Sequence, residues 1–402
     1  MRAAVALLLL AGAALAEGES RLGSLIRWYL REESPGRRQD LLETIERLVD
    51  GDCRPVAEAI AKGEHFDRPE RPALRKGGKP PVFDPKRPRL VPMDECAGDY
   101  AELVLPDGYT PSRAHSLILE LATLGLPTPE DTVVLRIRVA LCPKDAEAAE
   151  LLVMSLLAHV LDLVNVDANR VFLFAGKPEE ALAWYVALHN PDRFAGAIIG
   201  PGVWKEAMPL APNGALFSSI GIVSFKGDRA AGAFLAELGK FNAAHVRLES
   251  TGDRGQNLSE LGPAIADWWR ATVRPPAPPR IRLVDDRGTS LRAYWLRLAP
   301  RVPSTRSDHV GARTQHGLAQ DAVLEAEIEG DLVTVHAERV AAFDLWVAPR
   351  LFEPGSVVRV SVNGQVPEAR VVRGEIGTLL EDYRERRDPL LVAWGKLTFT
   401  AR

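Results

Sequence analysis

Between positions 101 and 271, short apolar runs alternate with longer stretches whose apolar residues recur every three or four positions. The runs at 101–105, 117–121, 133–140, 170–175, 196–199, 221–225 and 245–249 read as strands. The spaced stretches at 146–164, 178–188, 230–241 and 258–271 read as helices. Strands apolar on both faces, alternating with helices, predict a mostly parallel sheet covered on both sides. Such sheets place ligands at the carboxyl ends of their strands.

The flanks have other periods. Leu41, Leu42, Ile45, Leu48 and Val49 recur at helical spacing, and Val56, Ala57 and Ile60 lead to Gly63, a helix C-terminal glycine. Residues 64–98 are rich in Pro, Lys and Arg without an apolar period, which predicts an extended linker or surface arm. Its basic residues suit a solvated linker better than a site for an anionic partner. Pro275, Pro276, Pro278 and Pro279 stiffen a second boundary. Beyond it, alternating runs at 323–328, 332–337, 343–347 and 357–362 predict strands, with turn signals at Gly330-Asp331 and Asn363-Gly364 and one helix near 379–384. Trp295, Trp346 and Trp394 read as packing residues in preference to a sugar platform.

Residues 1–16 read as a secretory signal. Arg2 precedes an apolar run, and Ala14-Leu15-Ala16 gives a cleavage site before Glu17. The run is short for a bilayer, and no later stretch is long and uncharged enough to span one. The expectation is an exported protein, periplasmic or extracellular. Lys and Arg number 50 against 54 Asp and Glu, a balance that excludes a general nucleic-acid binder. Three cysteines leave at least one thiol unpaired in an exported chain. Cys53 and Cys96 can pair, with three unpaired or buried cysteines as the equal alternative. The spacing of Cys53, Cys96 and Cys142 matches no zinc motif, and no metal or cofactor is expected.

The division that follows is a signal peptide (1–16), an N-terminal helical segment (17–63), a Pro- and basic-rich linker (64–98), an α/β domain (99–273), a proline-rich linker (274–280) and a β-rich domain (281–402).

Val166-Asp167-Ala168-Asn169-Arg170-Val171-Phe172-Leu173 runs into a glycine turn, followed by Ala187-Leu188-His189-Asn190-Pro191-Asp192-Arg193-Phe194-Ala195. This resembles the segment around the nucleophile in α/β-hydrolases of the secreted esterase, polyhydroxybutyrate-depolymerase and prolyl-oligopeptidase-like group. Leu103-Val104-Leu105-Pro106-Asp107-Gly108-Tyr109 resembles the group's opening strand. The likeness covers about residues 99–272. The tail, with Leu379-Leu380-Glu381-Asp382-Tyr383, resembles an accessory domain behind some of these proteins. The resemblance implies an α/β fold, an α/β-hydrolase-type mostly parallel sheet with flanking helices, between an N-terminal helical segment and a small C-terminal β-rich domain.

The resemblance also implies catalytic positions, and here they are vacated. In the group a serine sits at the tip of a strained strand-to-helix turn, and the N–H after it helps form the oxyanion hole. This chain has Lys177 at the serine position, and Pro178, which has no N–H, next. Glu179 replaces the following glycine. Pro178 would open a regular helix, with Glu179 and Glu180 in its first turn. Ala122 and Thr123 stand at the other oxyanion positions. Ala230 stands at the triad acid position, with Asp228 two residues early, and Asp253 stands at the triad histidine position. No histidine occurs between His245 and His309. Without nucleophile and base, an acid has nothing to orient.

The leading reading is therefore a catalytically inactive homologue serving as a binding or interaction module for a small-molecule or protein partner. Lys177, Glu179, Glu180 and Asp228 are candidate cleft-lining residues, and a solvated charge patch is the plainer use of the same residues. One alternative is an active ester or peptide hydrolase using a non-standard site, with Lys177 as nucleophile or base; its neighbouring carboxylates oppose this by holding it protonated. The other is a structural envelope protein acting through its β-rich tail.

Overall fold

The computed structural model describes residues 20–66, 68–81, 92–121, 129–176, 178–200, 207–225, 228–241, 245–250, 261–286, 290–299, 321–348 and 351–401. The chain forms two compact units. One comprises Met1–Arg68, Leu345–Val358 and Ala369–Leu397; the other comprises Pro69–Asp344, Arg359–Glu368 and Thr398–Arg402.

The first unit contains α1 (Arg21–Arg31), α2 (Pro35–Leu48) and α3 (Cys53–Lys62). Ser20 caps α1 by accepting from the Gly23 N–H at 2.9 Å, and Gly63 ends α3 with φ +71°. A C-terminal helix, Ile376–Arg386, packs against all three. Its inward stripe of Ile376, Leu379, Leu380 and Tyr383 is buried. The helix expected near 379–384 inside the β-rich tail thus shares a core with the N-terminal helices. The Tyr29 hydroxyl donates to Glu381 Oε1 at 2.7 Å across 352 positions of sequence.

His65 is buried in this unit, its Nε2 2.9 Å from the Tyr383 hydroxyl. Burial, then the charges of Arg387, Arg68 and Arg27, lower its pKa from 6.5 to about 3. Below pH 6.5 the unfolded chain takes up this proton before the folded one. The stability tied to a neutral His65 is therefore complete above pH 6.5 and is lost as pH falls toward 3. We predict that His65→Gln, which can still bond Tyr383, makes the fall in urea midpoint between neutral pH and about pH 4 shallower than in the wild type.

The second unit is built on a seven-stranded sheet. Its strands are β1 (Ala101–Val104), β2 (His115–Glu120), β3 (Thr132–Ile137), β4 (Val166–Ala175), β5 (Gly196–Ile199), β6 (Ser219–Phe225) and β7 (His245–Ser250), in the order β1-β3-β2-β4-β5-β6-β7. Only β1 runs antiparallel to its neighbour. The helices of this part are α4 (Ala97–Tyr100), α5 (Ala146–Leu163), α6 (Glu180–His189), α7 (Ala211–Gly214), α8 (Arg229–Lys240) and α9 (Gly262–Ala271). Alternation along the strands makes two cores. Leu117, Leu119, Leu135 and Leu173 face one core with Leu156, Trp184 and Phe234. Ile118, Val134, Phe172, Phe174 and Ile198 face the other, with Trp268 and Trp269 of α9. Trp269 stacks on Phe172 at 3.8 Å between centroids. The Trp268 ring lies so near Gly196 that an added Cβ would approach it to 2.7 Å. The α9 tryptophans thus cover the sheet itself.

Neither boundary segment is a free spacer where it is described. Within the basic arm, Leu74 packs on the first core and the Arg75 carbonyl accepts from the Gly98 N–H. In the proline boundary, the Arg274 N–H donates to the Asn169 carbonyl and its buried guanidinium to the Asp192 carbonyl at 3.1 Å.

The tail adds β8 (Arg280–Asp285), β9 (Leu291–Ala293), β10 (Leu296–Leu298), β11 (Ala322–Glu329), β12 (Leu332–Glu338), β13 (Ala342–Val347), β14 (Val357–Val362), β15 (Glu368–Val371) and β16 (Gly395–Thr400). They form sheets of order β15-β14-β12-β11-β8 and β16-β13-β10-β9. Asn363 and Gly364, at φ +50° and +76°, form a turn closed by the Gln365 N–H on the Val362 carbonyl at 2.9 Å, but β15 begins only at Glu368, so the connection is longer than the tight hairpin expected. Trp295, Trp346 and Trp394 are buried and form no exposed platform. All three cysteines are free, so Cys53 and Cys96 are not bridged.

Asn213 ties β8 to the seven-stranded part. It is fully buried; its Nδ2 donates to the Leu188 and Val284 carbonyls at 3.0 and 2.9 Å, and its Oδ1 accepts from the Val284 N–H at 2.8 Å. Asn213→Ala would strand these backbone groups without water. We predict a loss of about 3 kcal/mol in folding free energy, measured by urea denaturation.

Candidate functional site

The strand order reverses between β2 and β4, since the chain leaves β2 for β3 on one side and returns to β4 on the other. In parallel α/β sheets the crevice beyond the carboxyl ends at such a reversal is the expected ligand site. Here the Leu121 N–H donates to the Phe174 carbonyl at 2.9 Å, and the Gly200 N–H to the Ala175 carbonyl at 3.1 Å. The turn beginning at Gly176, which the resemblance places at the nucleophile position, follows β4 at this point.

The turn differs from the regular helix start expected at Pro178. The Glu179 N–H closes back on the Gly176 carbonyl at 2.9 Å, so the first carbonyl available to the helix is that of Glu179, which accepts from Ala183 at 3.0 Å. Glu179 is therefore the cap residue, with φ −96° and ψ 8°, and α6 begins at Glu180. Pro178 is exposed in the turn outside the helix, and only Glu180 lies in the first turn. Two successive positions thus offer no oxyanion donor. Pro178 lacks an N–H, and that of Glu179 is already engaged.

The residues that the resemblance places at or near the triad acid serve the start of α8. Asp228 caps α8, its Oδ1 accepting from the Ala230 and Ala231 N–H groups at 3.0 and 3.1 Å. Ala230 is exposed in the first turn of α8. Glu120, the last residue of β2, is paired with Arg136 of β3 at 2.9 Å. Lys177, Ala122, Thr123 and Asp253 lie outside the described residues.

The structure brings one further group here that the sequence reading passed over. Cys142 follows a single 3-10 turn, Val139–Leu141, just beyond β3. Burial, then the charge of Glu179, push its thiol up to about 11. Glu179 in turn is raised by burial and by Glu180. Glu180 Oε2 is buried with no hydrogen-bond partner among the described residues. The signal in the sequence was position alone, a cysteine five residues past a strand end. The electrostatics run opposite to those that activate a thiol, which need nearby positive charge.

Imidazoles lie elsewhere. His115 and His245 open β2 and β7, at the amino ends. His115 is buried, with ring nitrogens 3.3 Å from the Asp131 and Thr110 carbonyls. His159, on α5, pairs with Asp94 at 3.0 Å. His189 ends α6, bonded to the Tyr185 carbonyl at 2.8 Å and to Asp286 Oδ1 at 3.1 Å. The segments outside the described residues at the carboxyl ends, 122–128, 177, 201–206, 226–227 and 251–260, contain no histidine.

Sheet order, flanking helices and the position of the β4 turn agree with the class the resemblance implies. Residues 101–271 have an α/β-hydrolase-type fold.

No family model and no curated protein sequence matches the chain. Similar solved structures of this fold include a thermostable esterase, at 15% identity and TM-score 0.34, covering 43% of this chain and 59% of that one. Porphyromonas gingivalis dipeptidyl peptidase 4 is similar at 14% identity and TM-score 0.33, covering 43% of this chain and 33% of that one. Esterase PE8 is similar at 14% identity and TM-score 0.34, covering 43% of this chain and 98% of that one. The chain thus spans less than two thirds of the thermostable esterase and of the peptidase.

Among the described residues, the carboxyl edge of this hydrolase-type sheet combines one carboxyl of raised proton affinity, Glu179, with a thiol held protonated. We predict that alkylation of Cys142, followed by peptide mapping, is slow at neutral pH and accelerates up to about pH 11. Glu179→Gln should move that midpoint downward while leaving the contribution of burial in place.

Proposed function

We propose that the chain is an exported α/β-hydrolase-fold protein without Ser-His-Asp catalysis, retained as a binding module for a small-molecule or protein partner. The observation that carries this reading is that, among the described residues, no histidine stands at the carboxyl ends of the sheet's strands. The histidines described in the seven-stranded part sit at the starts of β2 and β7, within α5 and at the end of α6, and the carboxyl-end segments outside the described residues carry none. The engaged Glu179 N–H and the capping role of Asp228 support it, because each uses a group that hydrolysis would need. Export rests on the leader-like first sixteen residues.

The test is hydrolysis of short-chain p-nitrophenyl esters by residues 17–402, with a serine-reactive fluorophosphonate probe alongside. The expected result is neither turnover nor labelling. Turnover abolished by Lys177→Ala would make Lys177 catalytic. Turnover abolished by His309→Ala or His316→Ala would mean that the tail supplies the missing base. Either result overturns the reading.

A further inference from the structure

The basic arm is held against the body of its unit along residues 72–78, which fixes where its charges lie. Pro72 is buried and Leu74 packs on the first core. The Arg75 carbonyl accepts from the Gly98 N–H, and the Gly77 N–H donates to Asp99 Oδ2 at 2.8 Å. Two glycines permit so close an approach. A Cβ on Gly98 would come to 2.7 Å from the Arg75 carbonyl oxygen, and one on Gly78 to 2.5 Å from that of Glu95. The segment is thus a strap with a fixed outer face.

That face is cationic. Arg71, Arg75, Lys76 and Lys79 are exposed, and no acidic residue occurs between Arg71 and Pro81. The chain as a whole carries a formal charge of −4. Elsewhere exposed arginines pair with carboxylates, as Arg113 does with Asp131 and Arg359 with Asp331. Among the described residues the four strap side chains form no ion pair and no hydrogen bond. The acids that touch the strap do so at its glycines: Asp99 accepts from the Gly77 N–H, and Glu95 lies against Gly78.

Four cations set along one tethered segment suit a diffuse anionic surface. Residues 68–81 include no aromatic side chain on which a base could stack. Attraction of a polybasic segment to anionic lipid needs charge alone. We propose that the 71–79 strap docks the protein on an anionic lipid surface through Arg71, Arg75, Lys76 and Lys79.

Co-sedimentation of residues 17–402 with vesicles at low ionic strength tests it. The protein should bind phosphatidylcholine vesicles that contain phosphatidylserine, should not bind pure phosphatidylcholine, and should be released as salt rises. Each basic residue near such a surface strengthens binding about fivefold, so changing Arg71, Arg75, Lys76 and Lys79 together to Gln should weaken it by about two to three orders of magnitude. Arg71→Lys with Arg75→Lys keeps the charge and should bind as the wild type does, because diffuse attraction needs no guanidinium fork. Changing Arg54, Lys62, Lys240 and Arg270 to Gln removes the same charge from other exposed positions and should leave binding within a few fold. Lys86, Arg87 and Arg89, outside the described residues, stay unchanged in every variant. An unchanged circular dichroism spectrum is the folding control. No binding to the mixed vesicles, equal binding to pure phosphatidylcholine, binding retained by the strap variant, or an equal loss in the control variant would each overturn the proposal. So would binding to heparin or duplex DNA in place of the vesicles, which would make the partner a soluble polyanion.

Discussion

A buried amide cannot be left without partners, and Asn213 turns that constraint into architecture. Its side chain meets two carbonyls and one N–H, from Leu188 and Val284, in a place without exposure to water. Because Val284 belongs to β8, the first strand of the tail is set against the end of α6 by three directed bonds. Apolar contact is tolerant of sliding by a fraction of a residue; a buried donor–acceptor set is not. Asp192 repeats the logic nearby, its carbonyl held by Arg274 and its carboxylate accepting from the Tyr294 N–H. Tyr294 has φ +52°, a costly conformation for a bulky residue, and that bond helps to hold it there.

The changes at the β4 turn read as one replacement. A catalytic elbow keeps N–H groups unsatisfied so that an oxyanion can use them. Here proline removes one, the Gly176 carbonyl takes another, and Asp228 closes two more at the start of α8. Burial, and after it the charges of Glu179 and Glu180 respectively, raise the proton affinity of Cys142 and of Glu179.

Much of the sheet was legible because its strands are apolar on both faces. Residues 196–199 coincide with the expected bounds, and β2 and β3 differ by only a few residues; in the tail, 357–362 was legible through its period-two alternation instead. Strands with little apolar content were missed. Every residue of β15 is exposed, β9 and β10 are three residues long, and β8 opens with Arg280 and Arg282 on its solvent face. The chemistry at the vacated turn was legible in part, since the loss of an N–H at Pro178 follows from residue type. The start of α6 was not, because it depends on which carbonyl the Glu179 N–H reaches. Cys142 was invisible as a neighbour of Glu179, since only the strand order, with β3 and β4 on either side of β2, brings the segments after them to one edge. The assignment of the 376–386 helix failed for the same reason, its partners lying at the other end of the chain.

That last pairing sets a timetable for synthesis. The helices α1 to α3 are made first, yet the helix that completes their core comes more than three hundred residues later. At ordinary rates of chain elongation this is a delay of roughly 20–70 s. Throughout it, the stripe on α1 carrying Leu25, Ile26 and Leu30 has no Leu379 or Leu380 to cover it. The core of the N-terminal unit is therefore completed only once the 376–386 helix has been made, and until then the α1 stripe is exposed apolar surface.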